Sequence, residues 1–276
     1  MTLDCSTPLI IPSRFNGPAT SGNGGYVAGA LAARLARSTP TAPLTVGRAA
    51  GSAGDTATDP AAPRAQPAVE VTLRAPTPLD VPLQLQALGD NGLSLHAGDT
   101  LIAEARPTTL PAQVPAAPDL ERARAAGALG RMTARQRLGQ EDYETCFGCG
   151  IRREHDGLCI VPTEVDATAG VVAAEWIPDA SLPTDEHGNL LTEIVWAALD
   201  CPAGFAWSNR LNPTPLMMTG RMSAQLHRPI RPGEPCIVIG WPMGQEGRKF
   251  HAGTAIFDAQ GQLAAQSVQL WLQLRS

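Results

Sequence analysis

Apolar positions along the chain fall into two blocks with the same internal order: a helical stripe, then short alternating segments closed by glycine turns. In the first block Val27, Leu31 and Leu35 recur at i, i+4 and i+8. This spacing predicts a helix over about 25–37 with one inward face. In the second block Leu191, Ile194, Val195 and Ala198 mark a helix over about 189–201. Both stretches are heavy in alanine and other small residues, which lets a sheet wrap closely around them. Downstream, Leu83, Leu85 and Ala87 alternate with polar residues, and Cys236, Val238 and Gly240 are the matching apolar positions in the second block. Each run turns at a glycine-bearing site, Gly89-Asp-Asn-Gly92 or Gln245-Glu-Gly247. Each block ends in an apolar strand, Leu101-Ile-Ala-Glu-Ala105 or Leu263-Ala-Ala-Gln-Ser267. Alternation broken by glycine turns is the pattern of antiparallel strands.

The blocks also align residue by residue. Leu73-Arg-Ala-Pro76 with Pro82 matches Leu226-His-Arg-Pro229 with Pro235 at one constant offset. One helix followed by antiparallel strands, done twice, predicts an α+β chain of two antiparallel sheets, each wrapped around a central helix. The competing reading is two unrelated α+β domains. The expected division is a first domain over 1–118, a connecting segment over 119–145 and a second domain over 146–276. A Pro-, Ala- and Gly-rich stretch at 40–68 without apolar period is expected as a long loop. The Arg- and Ala-rich residues 119–138 have helical character.

Composition narrows the function classes. Hydrophobic residues make up 43% of the chain and charged ones 17%, which excludes a disordered chain. A formal net charge of -5 argues against a nucleic-acid binder. The first residues lack a basic segment followed by an apolar one, so no signal peptide is expected. No run approaches the ~20 apolar residues that span a bilayer, so no membrane insertion is expected. Six cysteines in 276 residues suit reduced thiols in a cytoplasm better than a disulfide framework.

A few positions could carry chemistry. Ser21-Gly-Asn-Gly-Gly25 opens the first helix, where unpaired N–H groups and a partial positive charge can hold a developing oxyanion. Asn23, Gly24 and Gly25 are the candidates; the alternative is a glycine-rich helix start with Asn23 as N-cap. Asp200 lies late in an apolar helix, where a stability argument would not put a carboxylate. Burial would raise its pKa and suit it to general-base work or nucleophilic attack. Pro202 leaves the helix end open, since it stops or kinks a helix. Glu193 reads as a first-turn charge that could also line a site. Cys146-x-x-Cys149, followed by His155 and Cys159, raises zinc, but the trailing ligands are crowded and irregular for a structural site. Cys201 reads as a small core residue, with a nucleophile as the alternative.

Gly24-Gly25-Tyr-Val27-Ala-Gly29-Ala30-Leu31 resembles the N-terminal helix of TesB-type (type II) acyl-CoA thioesterases, which are double hotdog proteins. Thr219, eight residues before His227-Arg228-Pro229, is similar to that family's Thr strand. Leu263-Ala-Ala-Gln-Ser-Val-Gln269 is similar to its closing strand. The resemblance implies that Asp200, Thr219 and Gln269 position and activate a water that hydrolyses an acyl-CoA thioester, a step in lipid metabolism. Direct attack by Asp200 through an anhydride stays open beside it. The resemblance further implies a small-molecule acyl-CoA substrate, no cofactor beyond the coenzyme A of that substrate, no metal, and association into a homo-oligomer. Arg221, Arg248 and Lys249 are the candidates for its phosphates. The chain departs from the family in Gly220-Arg-Met-Ser-Ala-Gln225, in the loop and in the central segment. Cys146-Phe-Gly-Cys149-Gly instead resembles the lead-in of single-domain hotdog thioesterases. Two other readings remain: a non-catalytic acyl-CoA binder, and an enoyl-CoA hydratase or dehydratase, which would need a histidine such as His227 at the site.

The repeat supplies an internal control. Ala32 falls opposite Asp200, Gln66 opposite Thr219 and Pro107 opposite Gln269, while Leu191-Thr-Glu193 stands where the first half has glycines. Paired hotdogs build their sites between units. The expectation is therefore one composite site, with the helix start of the first half facing Asp200 of the second, and a dead twin.

Overall fold

The structure, a computed structural model, describes residues 5–38, 66–111, 113–136, 143–153 and 156–274. Most of the 40–68 loop lies outside the described residues, as do His155 and part of the connecting segment.

Among the described residues three α-helices, α1 (Gly24–Ser38), α2 (Leu120–Gln136) and α3 (Thr192–Ser208), accompany ten strands. In the first half the strands are β1 (Val69–Leu73), β2 (Gln84–Leu88), β3 (Gly92–Ala97) and β4 (Thr100–Pro107). In the second they are β5 (Thr163–Asp166), β6 (Val171–Trp176), β7 (Met217–Leu226), β8 (Cys236–Glu246), β9 (Lys249–Asp258) and β10 (Leu263–Gln273). The glycine turns are where the sequence puts them: Gly89 (φ +64°) between β2 and β3, and Gly247 (φ +57°) between β8 and β9. Both are left-handed positions that glycine occupies without steric cost.

The two sheets do not stay separate. β1 pairs antiparallel with β7, Val71 opposite Met222 and Val69 opposite Ala224, so one sheet of ten strands runs β2-β3-β4-β1-β7-β10-β9-β8-β6-β5. Edge-to-edge fusion removes the open strand edge that each half would otherwise present. The repeat is visible in the order itself: β2-β3-β4-β1 is matched in mirror sequence by β8-β9-β10-β7. Even the isolated bridge from Leu9 to Leu83 repeats, in reduced form, the pairing of Trp176 with Cys236. This is the double hotdog plan: α1 and α3 lie side by side against the sheet, and the main core fills the space between.

Burial explains why α1 and α3 form. Val27 and Leu31 are fully buried and Leu35 nearly so, as the helical stripe predicts. α3 is apolar nearly all round, which marks a helix enclosed by its neighbours. It is longer than its sequence pattern implied, continuing through Pro202 to Ser208. Asp200 therefore sits mid-helix rather than at an end. The α1–α3 crossing is close because α1 presents glycines: a Cβ on Gly25 would come within 2.6 Å of the Asp200 Cβ, and one on Gly29 within 2.6 Å of the Glu193 Cα. α2, foreseen by the Arg/Ala-rich pattern, covers the other face of the second half's sheet. There Ala123 packs with Val171, Ala173, Ile237 and Ile239. No described helix is long and apolar enough to cross a membrane.

Candidate active site

Asn23 caps α1, its Oδ1 accepting the Tyr26 N–H at 2.9 Å. The cap fixes the helix start, so the next amides point in a set direction. The Gly25 N–H donates to Asp200 Oδ2 at 2.9 Å, and the Thr219 hydroxyl donates to Asp200 Oδ1 at 2.6 Å. The expected meeting of the first half's helix start with the second half's acid is thus a direct hydrogen bond. Asp200 comes from α3, Thr219 from β7 and Gly25 from α1, so two halves and three elements converge on one carboxylate.

Asp200 is only 3% exposed, and burial pushes its pKa up to about 6. The Thr219 hydroxyl, the Gly25 amide and the Asn23 side chain pull the other way, and the Cys146 thiol pushes it up further. Two hydrogen bonds use two of roughly four lone-pair positions on the carboxylate, so acceptor capacity remains. The buried side chain is not sealed away: Asp200, Thr219, Asn23 and Gly24 all line a cavity of about 860 Å3. Its walls come from residues 73–77 of the first half, from Gly130 and Thr133 on α2, from Phe205 and Ser208 on α3, and from residues 214–218. A cleft of this size holds a substantial organic ligand.

The oxyanion expectation divides between the two glycines. The Gly25 amide is committed to Asp200, and its missing side chain serves the helix crossing rather than a ligand. The Gly24 amide has no acceptor among the described residues and Gly24 lines the cavity, so it is the donor still available.

Gln269 is not brought to the cavity. Its amide nitrogen donates to the Leu199 carbonyl at 2.7 Å and to the hydroxyls of Ser267 (2.9 Å) and Thr254 (3.2 Å). Its Oε1 accepts the Trp271 indole N–H at 2.9 Å. Pro202 has no N–H to offer the Ala198 carbonyl, and Gln269 donates to the neighbouring carbonyl, that of Leu199. Gln269 thus holds the backbone just before Asp200. Nothing in the strand pattern separates this role from contact with a water, because both need a buried Gln on the same strand.

Arg221, Arg248 and Lys249 do not line the cavity either. Arg221 pairs loosely with Glu70 (3.7 Å), and Arg248 donates to the Gln273 carbonyl. Arg248 and Lys249 sit beside the end of β10, whose Leu272, like Leu274 just beyond the strand, is a cavity residue. The basic side chain that lines the cavity among the described residues is Arg74, half-exposed and paired with Glu104 at 2.7 Å. Glu193 lies away from the cavity, against Gly29. His227 does too, its Nε2 buried without a partner and its pKa lowered by burial. No described histidine lines the cavity.

Sequence reasoning missed the surroundings of Asp200. Cys146, Cys149 and Cys201 line the same cavity, their sulfurs all within 4.8 Å of one another. Hydrogen bonds from the Cys149 thiol, then from the Cys201 thiol, hold the Cys146 thiol well below its ordinary pKa; the Cys149 and Gly148 amides add to this. The Cys-x-x-Cys spacing was visible, but its third partner is distant in sequence. Cys159 is elsewhere, with its thiol on the Gly150 carbonyl.

The twin position is closed. Ala32 and Gln66, the residues aligned with Asp200 and Thr219, border one small pit of about 10 Å3 that Trp196 and Thr192 also line. Trp196, 2% exposed, fills the space where a second site would open.

Neither a protein-family model nor a curated protein sequence matches the chain. Solved structures do. The TesB protein of Mycobacterium avium subsp. paratuberculosis aligns over 94% of this chain and 89% of its own, at 14% identity and a TM-score of 0.56. A hot dog protein of unknown function from Alicyclobacillus acidocaldarius aligns over 96% and 91%, at 12% identity and 0.57. A candidate thioesterase II of Thermobifida fusca aligns over 93% and 88%, at 14% and 0.53. The likeness establishes the double hotdog fold along nearly the whole chain.

Proposed function

We propose that the chain hydrolyses acyl-CoA thioesters at the composite site. The observation that carries this reading is the buried Asp200 carboxylate, held between the α1 start and Thr219 and bordering a large cavity. A water against the free lone pairs of Asp200 gives up its proton as it attacks the thioester carbonyl. Thr219 and Gly25 fix the carboxylate so that little reorganisation accompanies the step. The Gly24 amide, at the positive end of α1, stabilises the oxyanion, a contribution of about 3–4 kcal/mol for one good donor. Collapse of the tetrahedral intermediate expels the thiolate, which takes up a proton, and leaves the carboxylic acid. The names of the TesB and thioesterase II structures support the same class. Arg74 at the cavity wall is suited to a coenzyme A phosphate. The hydratase reading is weakened because its histidine is not at the cavity.

The test is a thiol-release screen of the purified chain against short, medium, long and aromatic acyl-CoAs. Release of free coenzyme A from at least one class supports hydrolysis. Bound acyl-CoA with no thiol released supports the non-catalytic binder, and loss of an enoyl chromophore without thiol release supports the hydratase.

A further inference from the structure

We infer that Cys146, Cys149 and Cys201 form a thiolate site for one zinc-type cation, its fourth coordination position facing the cavity beside Asp200. Three sulfurs from two separate segments converge here, and no described residue joins them into a disulfide. The Cys146 and Cys201 sulfurs are 3.9 Å apart. Four sulfur-type ligands at about 2.3 Å from zinc stand about 3.8 Å apart at the tetrahedron's corners, so this edge is already of ligand length. All three pairs lie within 4.8 Å, which leaves Cys149 a small rotation from completing the face.

The backbone is preset for a ligand at Cys146. The Cys146-Phe-Gly-Cys149 turn brings both of its sulfurs within 4.8 Å of the Cys201 sulfur. Gly148 is needed for this turn to pass α3, because a Cβ there would meet the Cys201 sulfur at 2.8 Å. The Asn23 amide approaches the Cys146 sulfur at 3.8 Å, adding a donor that a thiolate would accept. Soft sulfur ligands select zinc or copper(I) over magnesium and calcium. Three protein ligands with a cavity at the fourth position is the arrangement of an open site. The metal's ligands thus differ from those that spacing suggested: Cys159 is excluded by its bond to the Gly150 carbonyl, and Cys201 of α3 takes the third place.

The experiment is cobalt titration of the reduced, metal-stripped full chain, read by thiolate-to-cobalt charge-transfer and tetrahedral ligand-field bands, with zinc displacing them. The expected result is saturation at about one equivalent, as for a single site. Loss of the bands is expected in Cys149→Ser, and unchanged bands in Cys159→Ser. In the unmutated chain, zinc should also protect Cys146, Cys149 and Cys201 from alkylation while leaving Cys5 and Cys159 reactive, by peptide mass mapping; this arm holds even where a variant does not fold. Absent bands, bands that persist in folded Cys149→Ser, or protection that leaves out Cys201 would overturn the site. The readouts do not depend on turnover, so they are separate from the thioesterase reading.

Discussion

Gly25 carries two duties that a single methyl group would set against each other. In Gly25→Ala the new Cβ would lie 2.5 Å from the Trp196 carbonyl oxygen, 2.6 Å from the Asp200 Cβ and 2.9 Å from the Ala197 Cα. Two of these are backbone atoms, so α1 and α3 must move apart by about 1 Å to restore ordinary contact. Overpacking of this kind costs about 1–3 kcal/mol, partly offset by the ~1 kcal/mol by which alanine favours a helix. The same displacement stretches the 2.9 Å bond from the Gly25 amide to Asp200 beyond hydrogen-bond length. A bond to a charged group is worth about 1.5–3 kcal/mol, so loss of it from the transition state predicts a roughly 10- to 100-fold fall in kcat. Gly29→Ala is the control. Its Cβ would meet the Glu193 Cα at 2.6 Å and the Trp196 Cβ at 2.7 Å, a comparable clash one turn from the carboxylate. Urea unfolding should show both variants destabilised by similar amounts, while thiol release falls mainly in Gly25→Ala. Equal loss of activity in the two, or full activity in Gly25→Ala, would refute the claim that this amide positions the acid.

Thr219→Val keeps the shape of the side chain but removes the donor to Asp200 Oδ1, and should lower kcat at least about tenfold with a normal far-ultraviolet dichroism spectrum. Gln269→Leu should leave the Leu199 carbonyl and two hydroxyls short of a donor and cost about 1–3 kcal/mol in denaturant unfolding, with the larger effect on stability; a kcat loss at unchanged stability would restore a direct catalytic role. Trp196→Ala should destabilise by about 3–5 kcal/mol, measured by the same unfolding curves, without creating a second active site, since Ala32 and Gln66 supply no acid and no hydroxyl. Arg74→Ala should raise KM for acyl-CoA while leaving KM for the matching pantetheine thioester unchanged, if it meets a phosphate.

What the sequence revealed followed from periodicity. The stripe of Val27, Leu31 and Leu35, the alternation around Leu83, and the constant offset between Leu73 and Leu226 are local patterns that burial enforces. The double hotdog fold was legible from them. Even the dead twin was legible, because Ala32 and Gln66 needed only an alignment of the halves. Side-chain direction was not. Gln269 faces the α3 backbone rather than the cavity, where it donates to the Leu199 carbonyl, and no pattern along β10 encodes that choice. The Gly25 amide went to the acid rather than to a ligand because α1 and α3 cross too closely for anything else to fit. Cys201 lies 52 positions beyond Cys149, so only the packed fold could join it to the Cys-x-x-Cys turn.

Asp200→Asn tests the central claim with the smallest change in shape. The amide oxygen can still accept from Gly25 and the amide nitrogen can still meet the Thr219 oxygen, so the fold should hold while the capacity to take a proton is lost. Coenzyme A release by this variant, measured on the acyl-CoA that the unmutated chain cleaves best, should fall by about 10²–10⁴-fold with a superimposable unfolding curve. Turnover equal to that of the unmutated chain would contradict the account and remove Asp200 from the chemistry.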